Sequence, residues 1–284
     1  MAFLLLLRPH NWIKNFFVFI PLFFAHQLLQ PEQLTLAVYA FLAFCAIASC
    51  VYVINDIADR ESDRKHPKKQ HRPIAAGHVG IAAASIIAAG LLAIAALIVY
   101  YAVPSIAPVI LVYFLANLAY SGYLKRVAIV DILMVAGFYL LRVSAGALAV
   151  NVPVSGWLLL ATIFVALFLV VAKRKAELVR GGSPRQAQGQ TRAVLQQYTP
   201  EFLDVLLLMS IVMMLVVYSV YTVTVLASHR AAYSMFFVLL GVFRYFYLSH
   251  NNTEAEQPEK LIFSDFWIFA GAVGWIVFMY SILY

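Results

Sequence analysis

The stretch Asn55-Asp56-Ile57-Ala58-Asp59-Arg60-Glu61-Ser62-Asp63 gathers carboxylates at the end of a long apolar run. If that run is helical through its end, Asp56, Asp59 and Asp63 stand in an i, i+3, i+7 relation on one side, with Asn55 four residues before Asp59. Like charges on one stripe repel, so such a stripe makes sense when a divalent cation neutralises it. Mg²⁺ is usually held by one or two carboxylates together with the phosphates of a substrate, which makes a diphosphate the natural third party. The competing reading is a solvated helix end whose charge Arg60, Arg64 and Lys65 balance.

A basic loop follows at once, from Arg64 through His71-Arg72-Pro73-Ile74-Ala75-Ala76-Gly77. A carboxylate cluster beside a basic loop is what a metal-bound, multiply anionic ligand needs, with metal on one side and direct cationic contacts on the other. Arg72 is the member best framed for contact. A further basic cluster, Lys173-Arg174-Lys175-Ala176-Glu177-Leu178, carries Arg forks and Lys point charges suited to phosphate, or else serves only to fix membrane topology. Arg142 lies inside an apolar run, where a cation normally faces a cavity or a partner. Asp131 is either a site carboxylate or a charge favoured by a helix N-terminus. Asn117, Tyr120 and Tyr123 are candidate wall residues. Cys45 and Cys50 share one apolar run without metal-ligand spacing and are expected to pack.

The elements that must position these residues are membrane helices. The chain has 284 residues, 64% hydrophobic and 12% charged, against roughly 25% charged in soluble domains. Apolar spans are expected near Phe16–Leu29, Leu34–Asn55, Ile81–Val103, Ile106–Tyr120, Ile129–Val150, Trp157–Ala172, Phe202–Leu226, Tyr233–Leu248 and Phe266–Tyr284, an all-α polytopic bundle of about nine transmembrane helices in a single domain, 1–284. Met1 to Leu7 is cut short by Arg8-Pro9 and offers no cleavage site, so no removable leader is expected. The net charge of +7 would suit nucleic acid in a soluble protein, but here the basic residues sit in short loops, so no nucleic-acid partner is expected. Apart from Arg142 and Arg230, every Lys and Arg precedes the first span or belongs to an even-to-odd loop or its edge. The positive-inside rule makes that face cytoplasmic, with the N-terminus inside and the C-terminus outside. No glycine-rich pattern defines an oligomeric interface.

Asn-Asp-x-x-Asp-x-x-x-Asp at residues 55 to 63, Arg72-Pro73-x-x-x-Gly77 and the nine-span pattern together resemble the UbiA superfamily of intramembrane prenyltransferases over the whole chain. The resemblance implies that Asp56, Asp59 and Asp63 bind Mg²⁺ and a substrate diphosphate, supported by Asn55. That superfamily carries a second aspartate-rich motif after the sixth span. Here that place reads Lys173-Arg174-Lys175-Ala176-Glu177, with no aspartate until Asp204. This departure, with Arg8-Pro9-His10-Asn11-Trp12-Ile13-Lys14-Asn15, is similar to the polyprenyl-phosphate phosphoribosyltransferase branch. Tyr120 to Arg126, which includes Lys125 and leads to Asp131, agrees with that branch, as do Arg244-Tyr245, Glu256-x-Pro258-Glu259 and Asp265.

The branch implies transfer of the 5-phosphoribosyl group from phosphoribosyl diphosphate to a polyprenyl phosphate such as decaprenyl phosphate, at the cytoplasmic face of a bacterial inner membrane, in cell wall biosynthesis. A single carboxylate cluster holds one diphosphate through Mg²⁺, while the 5-phosphate and the lipid phosphate need cations. Lys14, Arg72, Lys173 and Arg174 are the candidates for those contacts. Two other readings compete. A prenyltransferase joining a prenyl diphosphate to an aromatic acceptor would want the missing second aspartate motif. A transporter or lipid-binding protein would bind its ligand unchanged and need no Mg²⁺.

Overall fold

The computed structural model describes residues 2–66, 69–180, 193–226, 229–251, 261 and 264–284, and no strand occurs among them. In chain order the helices are α1 (Ala2–Leu7), a 3-10 segment (Pro9–Phe19), α2 (Ile20–Phe24), α3 (Pro31–Ala58), α4 (Arg60–Arg64), α5 (Ile81–Ala102), α6 (Ala107–Gly122), α7 (Val130–Ala149), α8 (Gly156–Arg180), α9 (Pro200–Thr224), α10 (His229–Ala232), α11 (Met235–Asn251) and α12 (Phe266–Leu283). The punctuation is local chemistry. Pro31 opens α3 and Pro200 opens α9, where a missing N–H costs nothing. Thr199 caps α9 by accepting from the Phe202 N–H, and Asp265 caps α12 by accepting from Trp267 and Ile268.

Eight of the described helices are long and apolar enough to cross a bilayer, among them Pro31–Ala58, Val130–Ala149 and Gly156–Val179. The first expected span, Phe16–Leu29, takes another form: a 3-10 helix from Pro9 to Phe19 that continues as α2. Pro21 at the start of α2 withholds one backbone donor, and the 3-10 geometry stretches the chain. At about 2.0 Å per residue in the 3-10 part and 1.5 Å in α2, the sixteen or so residues still reach roughly 30 Å, the thickness of a hydrocarbon core.

The chain divides into two compact units. The first comprises Met1–Val127 and Gly137–Val154, and the second Ala128–Ala136 and Ser155–Tyr284. In the first, α3 is the central helix. Ala43 through Val51 are all buried, so α3 is covered on every side, and its Ala, Ser and Cys side chains let neighbours approach closely. The 3-10 segment, α5 and α6 pack on it. The second unit is built on the pairs α8 with α9 and α11 with α12, over a core that includes Phe168, Val171, Leu203, Leu207, Tyr245 and Ile268. Large apolar side chains such as Ile86, Ile94 and Leu97 of α5 remain on the surface, as lipid-facing residues do.

Candidate active site

In the first unit the aspartate stripe survives a corner in the chain. Asp59, at φ −89° and ψ 4°, ends α3 and starts α4. The Asp59 N–H nevertheless bonds to the Asn55 carbonyl at 2.8 Å and the Asp63 N–H to the Asp59 carbonyl at 2.8 Å, so the helical phase carries through. Asp56 and Asp63 therefore keep a common side and are both buried. A single nitrogen of Arg72 reaches both, with Nη1 donating to Asp56 Oδ1 at 3.0 Å and to Asp63 Oδ2 at 2.7 Å.

Arg72 is placed by the turn that follows. Ile74, fully buried, anchors that turn, Val79 N–H donates to the Pro73 carbonyl at 3.1 Å, and Arg64 Nε donates to the Ala75 carbonyl at 3.2 Å. Gly77 closes it at φ +79°, a conformation in which a Cβ is penalised, which accounts for glycine at this point of the motif. Lys125, just beyond α6, spans both oxygens of the half-exposed Asp59 at 3.1 and 3.2 Å.

Arg8 is the residue that the motif reading did not single out. It joins α1 to the 3-10 segment in the left-handed region, at φ +49°, where a non-glycine residue is held at a cost of about 1–2 kcal/mol. From there Nη2 donates to Asp56 Oδ1 at 2.6 Å while the guanidinium lies 5.2 Å from the centre of the Tyr52 ring. The sequence signal was an Arg-Pro corner, and the strained backbone is the kind of feature that clusters at functional sites.

The donor chemistry fits Mg²⁺. Asp56, Asp59 and Asp63 are hard oxygen donors, and Asn55 adds a buried Oδ1 that has no hydrogen-bond partner among the described residues. Among the described residues no group of three His, Cys, Asp or Glu side chains could hold a metal by itself. Mg²⁺ held by one or two carboxylates takes its remaining ligands from substrate phosphates and water.

Other expected site residues in this unit have defined surroundings. Arg142 is buried, donating to Asn15 Oδ1 at 2.8 Å, the Phe138 carbonyl at 2.7 Å and the Tyr113 hydroxyl at 3.0 Å. Lys14 donates to Asn11 Oδ1 at 3.2 Å. Tyr120 sets its ring edge-on to Phe138, Asn117 spends its amide on the Tyr113 carbonyl within α6, and Tyr123 is exposed.

The second unit has its own polar centre on Asp131, which is fully buried at the start of α7. Arg174 Nε donates to its Oδ2 at 2.8 Å, and the Tyr198 hydroxyl donates to its Oδ1 at 2.7 Å. Arg174 Nη1 also donates to Glu177 at 3.0 Å, Lys175 pairs with Asp204, and Lys173 is half-buried on the same helix. Tyr198 carried no sequence signal of its own. Its hydroxyl accepts the Ile129 N–H at 2.6 Å while bonding to Asp131. Burial first, and then the bond to Asp131, push its pKa well above that of an ordinary phenol, so it stays a protonated donor. Arg244 grips Asp265 through two nitrogens, and that bond holds the Asp265 carboxyl below the usual range. Glu256, Pro258 and Glu259 lie outside the described residues.

Membrane helices with an aspartate stripe at the end of one of them define a class of intramembrane transferase. The model of the UbiA prenyltransferase family matches residues 15–282, and the chain belongs to that family. It is an integral, multi-pass membrane protein. The chain is 37% identical over 219 residues to the decaprenyl-phosphate phosphoribosyltransferase of Mycolicibacterium smegmatis, covering 75% of this chain and 68% of that protein. To the enzyme of that name from Mycobacterium tuberculosis it is 32% identical over 283 residues, covering 95% of this chain and 90% of the relative. The fold is similar to a UbiA homolog from Archaeoglobus fulgidus solved with DMAPP and Mg²⁺, with a TM-score of 0.75, 16% identity, and coverage of 100% of this chain and 99% of that one.

Proposed function

We propose that this chain transfers the 5-phosphoribosyl group from phosphoribosyl diphosphate to a polyprenyl phosphate, decaprenyl phosphate or a similar lipid, and releases diphosphate. The observation that carries the proposal is similarity to phosphoribosyltransferases along nearly the whole length of both chains, 95% of this one and 90% of the tuberculosis relative. The residues agree with it. In the sequence Asp56, Asp59 and Asp63 form one aspartate motif, and Lys173-Arg174-Lys175 stand where the superfamily carries a second.

In the proposed reaction an oxygen of the lipid phosphate attacks C1 of the ribose, and the C1–O bond to the diphosphate breaks. Asp56, Asp59, Asp63 and Asn55 would hold Mg²⁺, which when bound supplies charge neutralisation to the departing diphosphate. Arg72, Arg8 and Lys125 already sit within hydrogen-bond reach of those carboxylates, so each can exchange a carboxylate oxygen for a phosphate oxygen with little motion. Lys14, Lys173 and Arg174 are the further candidates for phosphate contact, and Tyr120, Asp131 and Glu177 are further candidates for substrate contact. The nucleophile is anionic without assistance, so no strong general base is required. Alignment of the reactants and stabilisation of leaving-group charge supply most of the rate.

The polar donor enters from the cytosol and the lipid tail stays between apolar helices. Both compact units form one transferase domain, placed in a bacterial cytoplasmic membrane with the N-terminus inside and the C-terminus outside. Reporter fusions at the two ends should report opposite faces; reporters on the same face would mean that the Pro9–Phe24 segment does not cross. The substrate assignment is tested by product identity. Mass spectrometry of lipids from reactions containing phosphoribosyl diphosphate and polyprenyl phosphate should find the phosphoribosylated lipid, whereas prenylation of an aromatic acceptor from a prenyl diphosphate would replace this proposal.

A further inference from the structure

Trp12, Asn15 and Val18 follow one another at intervals of three in the 3-10 segment. With three residues per turn such positions eclipse one another and form a straight edge, whereas in an α-helix they would spread over about 120°. Every member of the edge is engaged. Trp12 Nε1 donates to Ser49 Oγ at 3.1 Å, and Ser49 in turn donates to the Leu7 carbonyl at 2.9 Å. Asn15 donates to Cys45 Sγ at 3.2 Å and accepts from Arg142 Nε at 2.8 Å. At Val18 the backbone itself meets α7, so that a Cβ added to Gly146 would stand 2.0 Å from the Val18 carbonyl oxygen. Cys45 and Ser49 form one i, i+4 stripe of α3, and Arg142 and Gly146 form one of α7. The edge is wedged between these stripes.

Arg142 is built for this seat. The residue is 4% exposed, and its guanidinium lies 5.0 to 5.8 Å from the ring centres of Phe44, Tyr113 and Tyr139. Among the described residues no carboxylate pairs with it, and its charge is met by ring faces, an amide oxygen, a phenol and a carbonyl. A phosphate contact would need the fork turned outward, yet three of its nitrogens are spent on neighbours within the unit.

We propose that Arg142 and Gly146 are positioning residues that hold the 3-10 segment in register, so that Arg8 at its head reaches Asp56. Arg142 then acts through Asn15 rather than by touching a phosphate. The inference rests on the reading that the Asp56 cluster takes the donor's diphosphate.

Asn15 distinguishes the two roles, because Asn15→Asp keeps the bond to Arg142 while neutralising its charge. Purified full-length variants are assayed with phosphoribosyl diphosphate varied, and separately for the rise in melting temperature caused by Mg²⁺ with inorganic diphosphate. Asn15→Asp should keep kcat/KM within about threefold of wild type, while Asn15→Leu and Arg142→Met should each lose at least about tenfold. On an Arg8→Ala background the last two should cost nothing more, because they act through the same segment. A tenfold loss in Asn15→Asp, or losses that multiply with Arg8→Ala, would overturn the seat. Gly146→Ala should behave as Arg142→Met does, and the Asn15 pair carries the test if that variant does not fold. A wild-type protein that binds Mg²⁺-diphosphate without phosphoribosyl transfer, with binding kept in Asn15→Asp and weakened in Asn15→Leu, would sink the proposed reaction and leave the seat standing. Neither binding nor transfer in the wild type would overturn both.

Discussion

Replacing Arg72 by Met should destabilise the protein through one particular carboxylate. Arg72 Nη1 lies 2.7 Å from Asp63 Oδ2 and 3.0 Å from Asp56 Oδ1. Asp56 retains Arg8 at 2.6 Å when Arg72 is lost. Asp63, 4% exposed at its side chain, has no second cationic partner among the described residues and would be left as a buried, uncompensated charge. Breaking a fully buried pair from one side costs about 3–5 kcal/mol. Arg72 is 29% exposed, so water already screens part of the interaction, and about 2–3 kcal/mol is the expected loss. Adding Asp63→Asn removes the stranded charge, so Arg72→Met/Asp63→Asn should recover at least about 1 kcal/mol relative to Arg72→Met alone. Thermal or denaturant unfolding in one detergent, without added Mg²⁺ or diphosphate, measures all four members of the cycle. Turnover should stay low in the double variant. A double variant no more stable than Arg72→Met, or an Arg72→Met protein as stable as wild type, would refute the reasoning.

Asp59→Asn should separate stability from activity: Asp59 is 37% exposed and pairs with Lys125, so unfolding should shift by less than about 1 kcal/mol, while turnover falls by about a hundredfold or more. Tyr198→Phe removes one of the two side-chain donors to buried Asp131 among the described residues and should cost about 1–2 kcal/mol in an unfolding measurement. Because the Tyr198 pKa lies well above the ordinary phenol range, absorbance titration up to about pH 10 should show no difference between wild type and Tyr198→Phe. Asp265 has a folded-state pKa lowered by Arg244, so its contribution to stability is present above about pH 4 and is lost as pH falls through the lowered value. Melting curves from pH 6 down to pH 3 should therefore show a smaller acid loss in Asp265→Asn than in wild type.

The common side of Asp56 and Asp63 was legible because its determinants are local: spacing along a helix sets the side, and the helical phase persists across Asp59, whose own carboxylate pairs with Lys125. Arg72 was legible for the same reason, since Pro73 and Gly77 mark the turn that aims it. Arg8 was named only as part of a motif, because its role depends on a partner in another helix and on a left-handed corner that periodicity does not encode. The 3-10 segment was read as an ordinary span because apolar composition does not distinguish three residues per turn from 3.6. Its Trp12, Asn15, Val18 edge acquires meaning only when Gly146, far along the chain, admits the backbone. Arg142 was marked correctly as an interior cation, but its cage of rings comes from α3, α6 and α7 and was invisible to spacing. Asp131 and Arg174 were each named, whereas Tyr198, which donates to Asp131 alongside Arg174, looks in the sequence like any other aromatic residue.

Transfer of ribose-labelled phosphoribosyl diphosphate to organic-extractable polyprenyl phosphate by the purified protein, with Mg²⁺ or with chelator, tests the central claim most directly. Label in the lipid fraction that depends on Mg²⁺ and disappears in Asp59→Asn is the predicted result. Lipid left unlabelled by a folded preparation under saturating substrates and Mg²⁺, or labelling that chelator does not diminish, would contradict it.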